Sequence, residues 1–314
     1  MNNTTCLPDN FSIPCGLDDE KRECDSCKHA IFASYIVIVI LSPVAGVGNA
    51  LILAAIWKKT FQRTPFHILL SGLAVTDLCT GLITQPFLAV NALLYFTNPR
   101  AVILRPVLIR TTSTIGNFSL VYSGAVTLLI ITLMSIERWL HMSRWSSVTS
   151  HRGCLTATVL LLIPIPLAVF TALNAMKRGS GREVNAANVA FMLVCYVTTS
   201  ITYFKVFRII RQHQQQVQVN SYSENFGQPA INLAKYKRSV VSILYILALF
   251  SFCFLPINVS LAADSLEGDR LDIAVALSVS LVPLFLSSSL NPCLYLWRMR
   301  DVRSRVKQLF CSIG

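Results

Sequence analysis

Seven apolar runs, at about residues 31–57, 66–94, 106–137, 151–175, 187–210, 238–262 and 273–297, take up most of this 314-residue chain. A helix needs about 20 mainly apolar residues to cross the hydrocarbon core of a bilayer, and every run is that long. In hydrocarbon each backbone amide must find its partner within its own segment or in a closed barrel, so runs of this length are helices. Composition agrees, because 54% of the residues are hydrophobic and 13% are charged, against about 25% charged in soluble domains. The chain reads as an all-α membrane protein, a single bundle of seven transmembrane helices. The first run lacks a basic flank before a short apolar core and a small-residue cleavage site, so it reads as a retained anchor helix and not as a secretory signal.

Charge sets the expected orientation. Lys and Arg gather in alternate loops and in the C-terminal tail, while the acidic residues gather in the N-terminal segment and the opposite loops. Short cytoplasmic loops collect basic residues, so the N-terminus is expected outside and the C-terminus in the cytoplasm, at the plasma membrane. The formal net charge of +12 is therefore a consequence of topology. It gives no ground for a nucleic-acid partner, which would require the basic side chains on a folded soluble module.

Three parts are expected. Residues 1–30 form a polar extracellular segment, 31–297 the seven-helix domain, and 298–314 an amphipathic helix with a short cytoplasmic tail. The first part holds Cys6, Cys15, Cys24 and Cys27, an even set that suggests two disulfides but leaves three pairings open. The "CDSC" spacing also matches a metal or redox motif, although no histidines cluster near it. Glycosylation sequons begin at Asn2, Asn3 and Asn10; those at Asn117 and Asn258 fall at or inside spans. In the tail, Arg300, Arg303 and Lys307 alternate by helical steps with Val302, Val306, Leu309 and Phe310, the pattern of a short eighth helix lying on the inner leaflet. Cys311 at its end stands in position for palmitoylation.

Within the spans Asp77 is the costliest residue, because a carboxylate at membrane depth faces a polar cavity, an ion path or a hydrogen-bonding hub. Asn49, Thr127, Ser287, Ser288 and Asn291 are the polar candidates to meet it, with Ser287 and Asn291 on one helical face. Pro256 and Pro292 each remove a backbone hydrogen bond from a long helix, which predicts kinks. Directly after an apolar run come Glu137 and Arg138, an acid and a base at the rim of the bundle.

These marks together resemble the rhodopsin-like (class A) G-protein-coupled receptors, over roughly residues 31–311. The order is the family's: Gly48-Asn49 in the first span, "LAVTD" ending at Asp77 in the second, and Glu137-Arg138-Trp139 where the family usually has Asp-Arg-Tyr. The sixth span carries "FSFCFLP", with Phe250, Cys253, Phe254 and Pro256 at marked positions, and the seventh carries "NPCLY", with Asn291, Pro292 and Tyr295. The resemblance implies a receptor that passes an extracellular or lipid-borne signal to a heterotrimeric G protein, with arrestin as a further partner. It implies that Glu137 holds Arg138 at rest and that activation frees Arg138 to meet Tyr203 and the G protein. It implies a switch at Phe250, Phe254 and Pro256, and a sodium ion beside Asp77 with Thr127, Ser287, Ser288 and Asn291 near it. No other cofactor is implied.

The departures from the family narrow the ligand. Ser113 stands where the family's outer disulfide begins, and "NAMKRGSGREVNAANVA" supplies no second cysteine, so the second outer loop lacks that tether. Cys195 stands where the fifth span usually has proline. Both losses resemble the melanocortin, lysophospholipid and cannabinoid branch. Leu120 replaces the aspartate of amine receptors, and Phe285 replaces the opsin lysine, which excludes an ordinary light receptor. By position Phe118, Leu120, Val121, Phe254, Ile257 and Asn258 face the ligand. Arg105 and Arg110, with Lys177, Arg178 and Arg182, offer forks for a carboxylate or phosphate on a small or lipid ligand. They equally suit pairing with the chain's own acids, and the acidic stretch from Asp264 to Asp272 equally suits a basic peptide. Arg208, Arg211, Lys235 and Lys237 form a basic rim suited to anionic lipid.

Two other classes remain open on sequence grounds, a channel or transporter built around Asp77 and a non-signalling binding protein on the same bundle. An enzyme is not expected, since the chain has no H-x-x-x-H, H-E-x-x-H or G-x-S-x-G arrangement and its five histidines are scattered.

Overall fold

The computed structural model describes residues 18–57, 65–97, 106–143, 169, 182–220, 248–249, 251–267 and 270–311. Among these residues the chain is an all-α bundle. Helix α1 is Asp18–Trp57. Helix α2, Pro65–Cys79, passes through a π turn at Thr80–Thr84 into α3, Gln85–Thr97. Then come α4, Pro106–Met142; α5, Arg182–Asn220; α6, 251–267; α7, Leu271–Arg298; and the short α8, Arg300–Cys311. Five stretches are long and apolar enough to cross a membrane: Ser26–Trp57, Phe66–Leu94, Arg110–Glu137, Arg182–Ile209 and Leu271–Trp297. The fourth run, apart from residue 169, and the first half of the sixth lie outside the described residues.

Helix α1 starts well before the apolar run that defines its membrane part. Once the apolar helix exists, each added residue only propagates it, which costs little beside nucleation. Cys24 and Cys27 therefore stand three apart on one helix, while Cys6 and Cys15 lie outside the described residues.

The second apolar run reads as a single helix in the sequence, and the π turn is what the structure adds. Its cause is Pro86, which has no N–H to donate. The Gln85 N–H reaches back to the Thr80 carbonyl, the five-residue step of a π turn, and in that register Pro86 leaves the next carbonyl, that of Gly81, without a donor. Ser42 of α1 supplies one, its hydroxyl donating to the Gly81 oxygen at 2.6 Å. Gly81 has to be small here. A Cβ on it would lie 2.8 Å from the Gly46 nitrogen and 2.9 Å from the Ser42 carbonyl oxygen, which shows how closely the two backbones pack. Lipid offers no hydrophobic push between helices, so close packing of small residues and interhelical hydrogen bonds hold them together.

Helix α1 packs along α7 and also touches α2, α3 and α8, while α4 packs on α5, α2 and α3. Helix α6 is tied to α5 by the Asn185 amide donating to Asp264 at 2.6 Å and by Tyr196 with Ser251 at 3.0 Å. One buried cluster runs through the bundle from Ile38 and Leu73 to Val126, Phe254 and Phe285, and continues to Val302 and Val306 of α8. The backbone turns at Met299, which is extended, and the new helix keeps Val302 and Val306 buried while Arg303 and Lys307 stay exposed.

Candidate functional site

Two helix breaks set up the polar centre of the bundle. In α7, Pro292 cannot donate to the Ser288 carbonyl, four residues back. Asn49 of α1 takes that place, donating to the Ser288 oxygen at 3.0 Å and to the Ala45 oxygen at 2.9 Å. Gly48 makes room for the proline ring: a Cβ there would come within 2.9 Å of the Pro292 Cγ. Ser42 and Asn49 lie two turns apart on one face of α1, and each covers a carbonyl that a proline has orphaned.

Asp77 lies beside this seam, 1% exposed. The Asn291 amide donates to Asp77 Oδ2 at 2.7 Å, and Ser288 stands beside the same carboxyl group. The second and seventh apolar runs are thereby joined through a buried carboxylate. Of the residues expected around it, Ser288 and Asn291 make contact. The hydroxyl of Thr127 meets that of Thr76 at 3.3 Å, and Ser287 turns back on its own helix to the Leu284 carbonyl at 2.6 Å. One carboxylate with hydroxyl and amide oxygens is a hard donor set, suited to a small hard cation. Among the described residues no group of three or more His, Cys, Asp or Glu side chains stands ready for a transition metal.

Toward the Arg138 end, Glu137, Arg138 and Trp139 are on α4, with Glu137 and Trp139 half-buried. Tyr203 is buried on the facing α5, and Tyr295 is buried on α7. Among the described residues the Tyr295 hydroxyl has no hydrogen-bond partner, so a buried donor stands open to them at this end. Trp139 carries Lys205 over its ring, with the Lys205 Nζ 4.3 Å from the centroid.

Toward the Arg110 end, Phe254 and Ile257 of α6 are buried in the common cluster and Leu120 packs against it. Phe118 and Tyr122 stack one turn apart on α4, their centroids 6.1 Å apart. Asn258 spends its amide N–H on the Phe254 carbonyl at 2.8 Å, and its Oδ1 is buried without a partner among the described residues. At Gly124, one turn below Leu120, a Cβ would meet nothing within 4 Å. Arg110 is exposed, while Arg105 and Phe250 lie outside the described residues. In the acidic stretch Arg270 pairs with Glu267 at 2.6 Å and with Asp272 at 3.0 Å, and Asp264 takes Asn185.

Ser113, where the resemblance implies the loss of an outer disulfide, is also engaged. Asn91 of α3 donates to the Ser113 hydroxyl, and Thr112 donates to Asn91 Oδ1 at 2.8 Å. A hydrogen-bonded clamp thus fixes the head of α4 against α3. Sequence reasoning passed over Asn91, Ser42 and Lys205, since a single polar residue in an apolar run does not reveal its partner. A signal did exist for Ser42, two turns before Asn49 and on the same face.

A buried carboxylate shared by proline-broken helices, inside a bundle with membrane-length helices, defines a multi-pass membrane protein of the helical class. The sequence profile of the 7 transmembrane receptor (rhodopsin family) matches residues 48–186 and 183–295, and the chain belongs to that family, whose members are non-catalytic transducers signalling through heterotrimeric G proteins. It is similar to the histamine H2 receptor of Cavia porcellus, at 23% identity over 307 residues covering 88% of this chain and 79% of that one. It is similar to the adenosine receptor A2b of Rattus norvegicus, at 23% over 310 residues covering 86% and 88%. G-protein coupled receptor 6 of Mus musculus is 22% identical over 292 residues, covering 88% and 74%.

Proposed function

We propose that this receptor sits in the plasma membrane with residues 1–30 outside, the seven-helix domain over 31–297, and residues 298–314 along the cytoplasmic leaflet. The observation that carries its switching role is the buried Asp77–Asn291 hydrogen bond at 2.7 Å. It joins the second span to the seventh beside Pro292, so a shift of one helix is felt by the other. Two discrete packings of such a seam would be biased from the ligand end and read at the G-protein end.

At rest Glu137 holds Arg138. On activation Arg138 is released toward Tyr203 and the G protein, and Tyr295, whose hydroxyl stands open, is free to join them. Asn291 and Pro292 carry the movement of α7, and Phe250, Phe254 and Pro256 that of the sixth span. A sodium ion fits the resting site as an allosteric ligand, held by Asp77 with Ser288 and Asn291. Thr127 and Ser287 would have to give up their present hydrogen bonds to join. Arrestin competes for the same face, and the basic residues of α8 together with a palmitate on Cys311 meet anionic lipid. Cys6, Cys15, Cys24 and Cys27 form disulfides outside, and Asn2, Asn3 and Asn10 carry glycans.

The ligand is small, lipid or peptide in nature, and it contacts Phe118, Leu120, Val121, Phe254, Ile257 and Asn258, with Arg105 and Arg110 at the entrance. Likeness to a histamine receptor does not make histamine the ligand. Leu120 offers no carboxylate to an amine, and the open polar atom nearby is the neutral Asn258 Oδ1, which accepts from a hydroxyl or amide.

The test compares the wild type with Arg138→Ala at matched surface expression, reading basal and extract-stimulated signalling across the G-protein classes. Signalling that disappears in the variant supports this mechanism. Equal signalling by both removes Arg138 from it.

A further inference from the structure

Helices α4 and α5 share one seam, and its ties are spaced along it. Thr132 meets Thr199, hydroxyl to hydroxyl, at 3.0 Å. Two turns further toward the Arg138 end, Lys205 reaches across to the face of Trp139 at 4.3 Å. Arg138 immediately precedes Trp139, and Tyr203 stands two residues before Lys205. Both partners of the activation step thus lie between a hydroxyl tie on one side and a cation–ring tie on the other.

The chemistry of the second tie is specific to this chain. The family's usual tyrosine at position 139 presents a smaller ring, whereas an indole face attracts an ammonium more strongly than any other aromatic side chain, through its ring quadrupole. Trp139 is half-buried, which reduces competition from water on that face.

We propose that Trp139 and Lys205 are a positioning pair for G-protein activation, holding α5 against α4 so that Tyr203 stays within reach of the released Arg138. The inference rests on the receptor reading above. It makes Lys205 necessary for its charge and Trp139 for its electron-rich face, and size alone would satisfy neither requirement.

The experiment places tryptophans bearing one, two or three ring fluorines at position 139 of the full-length receptor in nanodiscs. Fluorine drains the face of the ring while leaving its shape nearly unchanged. Two quantities are read: the basal nucleotide exchange of the G protein that responds best, and the melting temperature of the receptor. With Lys205 intact, both fall stepwise with fluorine count, exchange by roughly two- to fivefold at the end of the series. In the Lys205→Met background both series are flat and start low, while Lys205→Arg keeps the slope. A flat exchange series with Lys205 present, or an equal slope in the Lys205→Met background, overturns the proposal. Absence of exchange from the wild type with every G protein, both basal and with extract added, would sink the signalling reading and this role with it. That failure is recognisable because the melting series would still slope.

Discussion

Asn49 donates its amide to the carbonyl oxygen of Ser288 at 3.0 Å, the one oxygen in that turn of α7 from which Pro292 has taken the helical donor. A membrane interior supplies no water to take over that bond. Asn49→Leu keeps approximate volume and leaves the carbonyl bare, a loss of about 1–3 kcal/mol for a buried unsatisfied group. The purified variant is expected to melt well below the wild type. Gly48→Val should lose at least as much, because a Cβ would meet the Pro292 ring at 2.9 Å. Thermal unfolding in nanodiscs checks both, and a wild-type melting point for Asn49→Leu would mean that the carbonyl finds another donor.

Asp77 brings a charge-dependent prediction. Asp77→Asn preserves the shape and can still hydrogen-bond Asn291, so the fold should survive. What disappears is the carboxylate that a cation would need. Wild-type receptor is expected to melt higher in sodium chloride than in choline chloride at equal ionic strength, and the variant is expected to melt equally in both. Identical curves for the wild type would show that the site works as a hydrogen-bonding hub without an ion.

The head of α4 offers a third test. Asn91 grips Ser113 and Thr112 together, where the family's receptors use a disulfide. Asn91→Ala removes both bonds at once, while Ser113→Ala removes one. Each net hydrogen bond is worth about 0.5–1.5 kcal/mol, so the loss of stability should be greater for Asn91→Ala. Hydrogen exchange at the start of α4 should rise in the same order. If Ser113→Ala is as damaging as Asn91→Ala, the second bond contributes nothing.

How much of this was legible beforehand depends on what each feature needs. The spans rest on a one-dimensional property, a run of apolar residues, and the sequence boundaries at Trp57, Leu94, Glu137 and Trp297 recur as ends of membrane-length stretches. The short eighth helix was readable from the alternation of Val302 and Val306 with basic residues. The π turn was not, because Pro86 is one of many prolines and only the geometry shows Ser42 answering the carbonyl it displaces. Asp77 was visible as a costly residue, and Asn291 was among its candidate partners. Choosing Ser288 over Ser287 required the rotation of α7, which places one serine toward Asp77 and lets the other bond its own backbone. The contact of Trp139 with Lys205 joins positions far apart in the chain, and no local pattern announces it.

Phe254 supplies the last prediction. It is buried at 5% exposure in the cluster that links α6 to α7. Phe254→Trp adds volume and an indole N–H to a packed interior. Overpacking of this kind costs about 1–3 kcal/mol, and under the proposed switch, in which α6 moves between two packings, it falls unequally on them. Basal signalling at matched surface expression should therefore change, while ligand-independent stability drops by a few degrees. A variant that is destabilised yet signals as the wild type does, with and without extract, would show that Phe254 packs the sixth span without switching it.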